Sequence, residues 1–146
     1  IVNVKTKKVI RTHKVLINYT IGKRRNVGLS GEEKRHYVCG KNVKDNILYV
    51  AFGDDNKYLV SNEAIIEDIN YISDIKPKKA ECKFRYRSEY VNIKIEYLET
   101  GELLLKYDSA KAVTPGQACA IYYNEEMIIG GIIKEVRKNG EKRWYL

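Results

Sequence analysis

The chain has 146 residues, 44% of them hydrophobic, which is enough for one packed domain or two small ones and sets disorder aside. Its net charge of +8 is segregated: +10 over residues 1–44, −6 over 45–75, +5 over 76–87 and −1 over 88–146. Solubility does not require such blocks, whereas a polyanion-binding surface does.

No apolar run approaches a membrane span and no signal-peptide pattern opens the chain, so no membrane partner is expected. The basic blocks also lack an amphipathic helix suited to a membrane surface. The first residue is Ile1, inside a strand-like pattern, which suggests a fragment of something longer. Twelve tyrosines among many Ile and Val residues favour strands over helices.

Segments 1–4 and 9–12 read as two short strands of a hairpin around Lys5–Lys8. Residues 15–21 suit a short helix or a strand, and periodicity does not decide. Gly22 ends that segment, and Lys23, Arg24, Arg25 and Asn26 follow before Gly28. A basic tetrad between glycines can meet phosphate, because glycine lets the backbone approach a ligand. An exposed charged turn explains the same residues equally well. The loop is not a Walker motif.

Residues 30–35 read as a polar loop, and 36–40 with 47–52 as a hairpin turning at Lys44-Asp45-Asn46. Residues 53–56 suit another turn, without the ligand spacing of an EF-hand. A short strand over 58–61 and a second one over 63–72 follow. The basic linker 75–79, with Pro77, is the expected boundary, giving domains 1–74 and 75–146. Beyond it, strands are expected at 80–88, 90–98, 102–107, 117–123, 126–137 and 142–146. Six short strands with turns at 99–101 and 123–125 suggest a small closed barrel in a mainly β protein. Gly130-Gly131 marks a bulge or tight corner, and Val113–Gln117 a rigid Pro-Gly turn.

The stretch Lys83–Arg87 concentrates binding chemistry. As a strand it would place Lys83, Arg85 and Arg87 on one face and Cys82, Phe84 and Tyr86 on the other. Guanidinium groups bind phosphate in forked pairs, and a tyrosine ring offers a stacking surface. An isolated basic triplet is otherwise an ordinary solvated face.

Cys39, Cys82 and Cys119 are odd in number, widely spaced and in apolar contexts, which suits buried thiols in a reducing cytoplasm. With only His13 and His36 beside them, no metal set is expected. The carboxylate pairs Asp54/Asp55 and Glu125/Glu126 lie in turns, where solvation outweighs acid–base work. No catalytic residues are assigned.

Four segments, in order, carry a family resemblance: Tyr19-Thr20-Ile21-Gly22-Lys23-Arg24-Arg25, Phe84-Arg85-Tyr86-Arg87, Ala112-Val113-Thr114-Pro115-Gly116-Gln117 and Gly130-Gly131-Ile132-Ile133. Together with His13 they resemble the C-terminal half of tRNA-specific 2-thiouridylases, over essentially the whole chain. The family's first motif usually runs Tyr-Thr-Ile-Gly-Gln-Arg-Lys-Gly; Lys23 stands here for the Gln and Asn26 for the last Gly.

The resemblance implies a central β-rich domain followed by a six-stranded barrel similar to domain 2 of elongation factor Tu. It implies a cytoplasmic, monomeric, ATP-dependent parent enzyme that puts sulfur on the wobble uridine of tRNA. ATP would be bound upstream by a PP-loop domain, which the chain lacks, so no cofactor is expected within it. The family's catalytic cysteine motifs have no counterpart at the three cysteines. The implied partner is tRNA, contacted by Arg85, Tyr86 and Gln117, with Lys23, Arg24, Arg25, Lys83 and Arg87 as further cationic contacts. A protein-interaction barrel docking a sulfur-relay donor, or a purely structural barrel bracing the catalytic domain, are the alternatives.

Overall fold

A computed structural model of the chain describes residues 1–25, 27–29, 31, 35–53 and 56–146. Asn26, most of the loop expected at 30–35, and the Asp54/Asp55 pair lie outside the described residues. The chain divides into two compact units, Ile1–Leu59 with Trp144–Leu146, and Val60–Arg143. The boundary therefore falls at residue 60 and not at 75.

The first unit is built on a three-stranded sheet. Strand β1 (Val2–Asn3) runs parallel to β3 (Ile47–Phe52), which pairs antiparallel with β2 (His36–Asn42). The β2–β3 hairpin forms where the alternation placed it. Its turn is closed by Asn42, whose side-chain oxygen accepts from Asp45 N at 3.0 Å, and by Asn46 at φ 56. The expected second strand at 9–12 reduces to a single bridge from Val9 to Val2. Residues 16–18 form one turn of 3-10 helix, which resolves the ambiguous segment.

The core of this unit gathers Val4, Tyr37, Cys39, Ala51 and Tyr145. The last of these comes from the C-terminal tail, for which a barrel strand at 142–146 was expected. Instead the tail returns to the first unit. Tyr145 donates its hydroxyl to the Tyr58 carbonyl at 2.7 Å, and the Trp144 ring meets Tyr49 edge-on at 5.2 Å.

The second unit is a closed six-stranded barrel, antiparallel throughout. Its strands are β4 (Val60–Tyr71), β5 (Lys79–Lys83), β6 (Val91–Tyr97), β7 (Leu103–Lys111), β8 (Ala118–Tyr123) and β9 (Glu126–Lys138). Around the barrel the order is β9, β4, β7, β6, β5, β8, and β8 closes on β9. A two-residue strand β10 (Glu141–Lys142) folds back antiparallel on the end of β9. The sixth barrel strand is thus β4, which had been assigned to the first domain. The mainly β fold with a six-stranded barrel stands.

Alternation explains the barrel wall. Ile93, Ile95, Leu103 and Leu105 are buried, while Lys94, Glu96 and Lys106 between them are exposed. The β6–β7 hairpin closes with Gly101 at φ 88. Asn124 and Glu125 at φ 50 and 68 give the β8–β9 hairpin the primed turn that fits strand twist. Gly131 sits at a close approach: a Cβ there would lie 2.5 Å from Ile66 Cγ2 and 2.9 Å from the Glu67 carbonyl. The register of β4 against β9 shifts between Glu67 and Asn70, with Asp68 at φ 51. The Gly-Gly pair therefore does mark a tight corner, and the one extra residue opposite it belongs to β4.

The barrel interior holds a small polar and thiol cluster. Tyr107 and Ser61 share a hydrogen bond of 2.7 Å between their hydroxyls, and both are buried. Burial pushes the Tyr107 phenol above its ordinary range, opposed in part by the Ser61 hydrogen bond. A hydrogen bond with Cys119, and then burial, push the Cys82 thiol up. Both groups are held neutral in the fold. Unfolded, a thiol ionises near pH ~8.5 and a phenol near ~10. Their contribution to stability is therefore full below about pH 8 and is lost as pH rises. The barrel is expected to melt progressively lower from about pH 8.5 to 10.5 in circular dichroism. Tyr107→Phe should flatten the upper part of that loss, and an unaltered slope in the variant would count against the assignment.

Candidate nucleic-acid interface

Strand β5 stops at Lys83, where residues 84–88 leave the barrel wall as a turn. The reason is local. Ser88 donates its hydroxyl to the Arg85 carbonyl at 2.8 Å and accepts from Arg85 N at 3.3 Å, while Ser88 N reaches the same carbonyl at 3.1 Å. A serine bonding backbone groups three residues back offers the chain an alternative to the ladder. Phe84 remains in the core at 4% exposure, with its ring 5.1 Å from Tyr107.

Tyr86 is the residue most displaced from expectation. Strand alternation would have put it on the face of Cys82 and Phe84, but at the tip of the turn it is 92% exposed. Arg87 beside it is exposed as well. The apparent conflict of Arg85 and Tyr86 on opposite strand faces disappears, because neither is on a strand.

Arg85 is half-buried, and its Nη2 donates to the Ala112 carbonyl at 2.9 Å. That carbonyl also accepts from Thr114 Oγ1 at 2.9 Å. Ala112 has φ 57, which turns the chain out of β7. Thr114-Pro115-Gly116-Gln117 then forms a tight turn, with Gln117 N donating to the Thr114 carbonyl at 3.3 Å and Gly116 at φ 90. Proline second and a positive-φ glycine third are the requirements of a type II turn. Gly116 N donates to the Ile133 carbonyl at 2.7 Å and Ile133 N to the Gln117 carbonyl at 2.9 Å, so the turn is tied to β9.

Arg85 thus joins the two sequence segments that looked most like binding elements. Its side chain does structural work that an outward-facing arginine would not. Gln117 is less available than expected: its side-chain oxygen is buried with no hydrogen-bond partner among the described residues. Lys83 lies over the ring of Tyr90, 4.6 Å from its centre. Ser88, which holds this arrangement, was not singled out from the sequence, and Ala112 entered only as the first residue of the third motif. A serine three residues beyond Arg85 was the local signal for the turn, and the motif that opens with Ala112 gave no sign that its carbonyl would take the Arg85 guanidinium.

The basic tetrad belongs to the first unit. Gly22 N donates to the Val38 carbonyl at 2.8 Å and Val38 N to the Lys23 carbonyl at 2.9 Å, which fastens the loop to β2. Lys23 Nζ reaches the Asn18 carbonyl at 3.3 Å and lies 5.2 Å from the Tyr19 ring. Arg24 donates to Asn56 Oδ1 at 3.0 Å and lies over the Tyr37 ring at 5.2 Å. Arg25 is exposed. Two of the loop's cations, Lys23 and Arg24, thus lie with their charged heads over aromatic rings.

All three cysteines are buried free thiols. Among the described residues no group of His, Cys, Asp or Glu side chains could hold a metal ion, and no helix is long and apolar enough to cross a membrane.

The chain matches two family models, one described as the tRNA methyl transferase PRC-barrel domain over residues 1–52 and one as the aminomethyltransferase beta-barrel domain over residues 61–133. The second coincides with the six-stranded barrel. Among curated proteins, the chain is 43% identical over 138 residues to tRNA-specific 2-thiouridylase MnmA 2 of Geobacillus kaustophilus, covering 92% of this chain and 37% of that protein. It is 37% identical over 147 residues to the tRNA-specific 2-thiouridylase of Mycoplasmopsis synoviae, covering 100% of this chain and 40% of that protein. The match to the enzyme of Mesoplasma florum is 38% over 141 residues, covering 91% and 38%. The chain thus spans 37–40% of the length of these relatives. With both of its units matched in order, this chain belongs to the tRNA-specific 2-thiouridylase family, whose PRC-barrel and β-barrel domains it carries.

Proposed function

We propose that these 146 residues are the tRNA-holding part of an ATP-dependent enzyme that thiolates the wobble uridine of tRNA. The observation that carries this reading is the exposed Tyr86-Arg87 tip, held in place by Arg85 through the Ala112 carbonyl. An aromatic ring presented to solvent beside cations suits an unpaired base and its phosphates. Lys23, Arg24 and Arg25 are the cationic contacts of the first unit, and Lys83 and Arg87 those of the barrel. Gln117 would join them by turning its amide outward.

ATP and the sulfur-carrying thiols belong, in this reading, to other parts of a cytoplasmic, monomeric parent enzyme. Sulfur transfer needs an accessible thiolate, whereas Cys39, Cys82 and Cys119 are no more than 2% exposed. The chain alone is expected to give no thiolated tRNA from purified components with ATP and a sulfur donor. Any product would move the chemistry into these residues.

The binding test is a salt series with the chain and tRNA followed by fluorescence anisotropy. Each phosphate neutralised on a duplex contributes a log–log slope near −0.9, so about three contacts give a slope near −2.7. An affinity indifferent to salt would overturn the reading. It would favour the second one, a docking barrel for a sulfur-relay protein. The exposed Tyr71 at the end of β4 and Ile72 and Ile75 beyond it are the apolar residues such a partner would cover.

A further inference from the structure

The outer face of β5, β6 and β8 carries an aromatic group that the assigned contacts do not include. In the β5–β6 ladder Cys82 pairs with Val91, so Tyr90 continues the register opposite Lys83. In the β5–β8 ladder Lys83 pairs with Ala120 and Glu81 with Tyr122. The small Ala120 leaves the wall low beside Lys83. The Tyr90 and Tyr122 rings meet edge-on, 5.2 Å between centres at 85°, and Lys83 Nζ lies 4.6 Å from the Tyr90 ring centre.

The barrel core does not need these rings. Cys82, Ile93 and Ile121, on the same three strands, point to the other face and are buried. Tyr90 remains 49% exposed, and Tyr122 is partly so. Glu81 and Glu89 are the acids adjoining the patch, both exposed. A tyrosine pair with an ammonium over one ring face has the composition of a base-stacking surface: a remaining π-face for the base and a cation for the adjoining phosphate. Lys83 is the last residue of β5, three positions before Tyr86, on the strand that feeds the exposed turn.

We propose that Tyr90, Tyr122 and Lys83 form a stacking platform for one unpaired nucleobase of RNA, contiguous with the Tyr86 tip. The platform rests on the tRNA-holding reading and gives it a specific ligand, a single-stranded nucleotide. The base stacks on the open side of Tyr90, Tyr122 braces that ring from its edge, and Lys83 meets the phosphate. Sequence-tolerant binding of single-stranded segments follows, because every base has a π-face.

The test compares a fluorescent oligouridine of about ten nucleotides with the same ribose-phosphate chain lacking bases, each titrated with the chain. Wild type is expected to bind the base-bearing oligomer about five-fold or more tighter. Tyr90→Ala and Tyr122→Ala should erase much of that preference while keeping the salt slope, and Tyr90→Trp should restore it. Lys83→Ala should keep the preference and reduce the slope by about 0.7, one phosphate on a single strand. Tyr90→Leu retains apolar bulk on the sheet and reads the same loss if the alanine variant melts too low. Equal affinity for the two oligomers, or an undiminished preference in Tyr90→Ala and Tyr90→Leu, overturns the platform. If salt-sensitive tRNA binding persists in that case, the tRNA-holding reading stands. A chain that binds neither oligomer nor tRNA overturns both.

Discussion

Tyr86→Ala is expected to weaken tRNA binding by the intact enzyme by about ten-fold or more while leaving the melting temperature unchanged. The ring is 92% exposed, so its removal takes almost nothing from the core. A base stacked on an aromatic ring is typically worth ~1–3 kcal/mol, and 1.4 kcal/mol is ten-fold in affinity. Tyr86→Phe keeps the ring and should be nearly neutral for both properties. Arg85→Ala should differ in kind. It removes the guanidinium that donates to the Ala112 carbonyl at 2.9 Å, a charged hydrogen bond of the class worth ~1.5–3 kcal/mol. Affinity and barrel stability should therefore fall together, with increased exchange of the amides in 112–117. Arg85→Lys retains charge but not the fork, and should recover salt sensitivity more than stability. If Tyr86→Ala bound tRNA like wild type, the exposed tip would have no part in holding RNA.

Gly40→Ala should be the most damaging small substitution in the first unit. A Cβ at Gly40 would lie 1.9 Å from the Tyr145 carbonyl oxygen and 2.7 Å from its carbon. These are backbone atoms, so no side chain can turn aside. Ordinary overpacking costs about 1–3 kcal/mol because neighbours shift. Here the tail itself must lift away, releasing the 2.7 Å Tyr145 hydroxyl bond to Tyr58 and the packing of Tyr145 on Tyr37 and Cys39. A loss of ~3 kcal/mol or more is expected, seen as a fall of roughly 12–24 °C in the transition of this unit. Trp144 is the single tryptophan of the chain and adjoins Tyr145, so its fluorescence reports the event directly. A variant whose Trp144 transition matched wild type would show that the tail does not pack against Gly40 in solution.

The hairpins at 98–102 and 123–126, the alternating walls of β6 and β7, the β2–β3 pair and the Pro-Gly turn before β8 were all legible along the chain. Each depends on residues a few positions apart: a period of two for the wall, and glycine or asparagine where φ is positive. The family resemblance rests on equally local motifs. Three features were not legible. Strand β4 looked like part of the first unit, because the basic linker with Pro77 beyond it read as the boundary, and its place in the barrel depends on partners 58 to 74 residues away in β9. The tail at 144–146 resembled a last strand, but its packing against Gly40 and Tyr58 is decided by the space a glycine leaves. Arg85 and Tyr86 resembled alternating strand residues until Ser88 captured the Arg85 carbonyl and ended the ladder. The sequence by itself determined which side chains carry charge and rings and which short segments extend or turn. Only the tertiary structure decided which faces those side chains occupy, because burial and long-range pairing, unlike turn formation, depend on residues far apart in the chain.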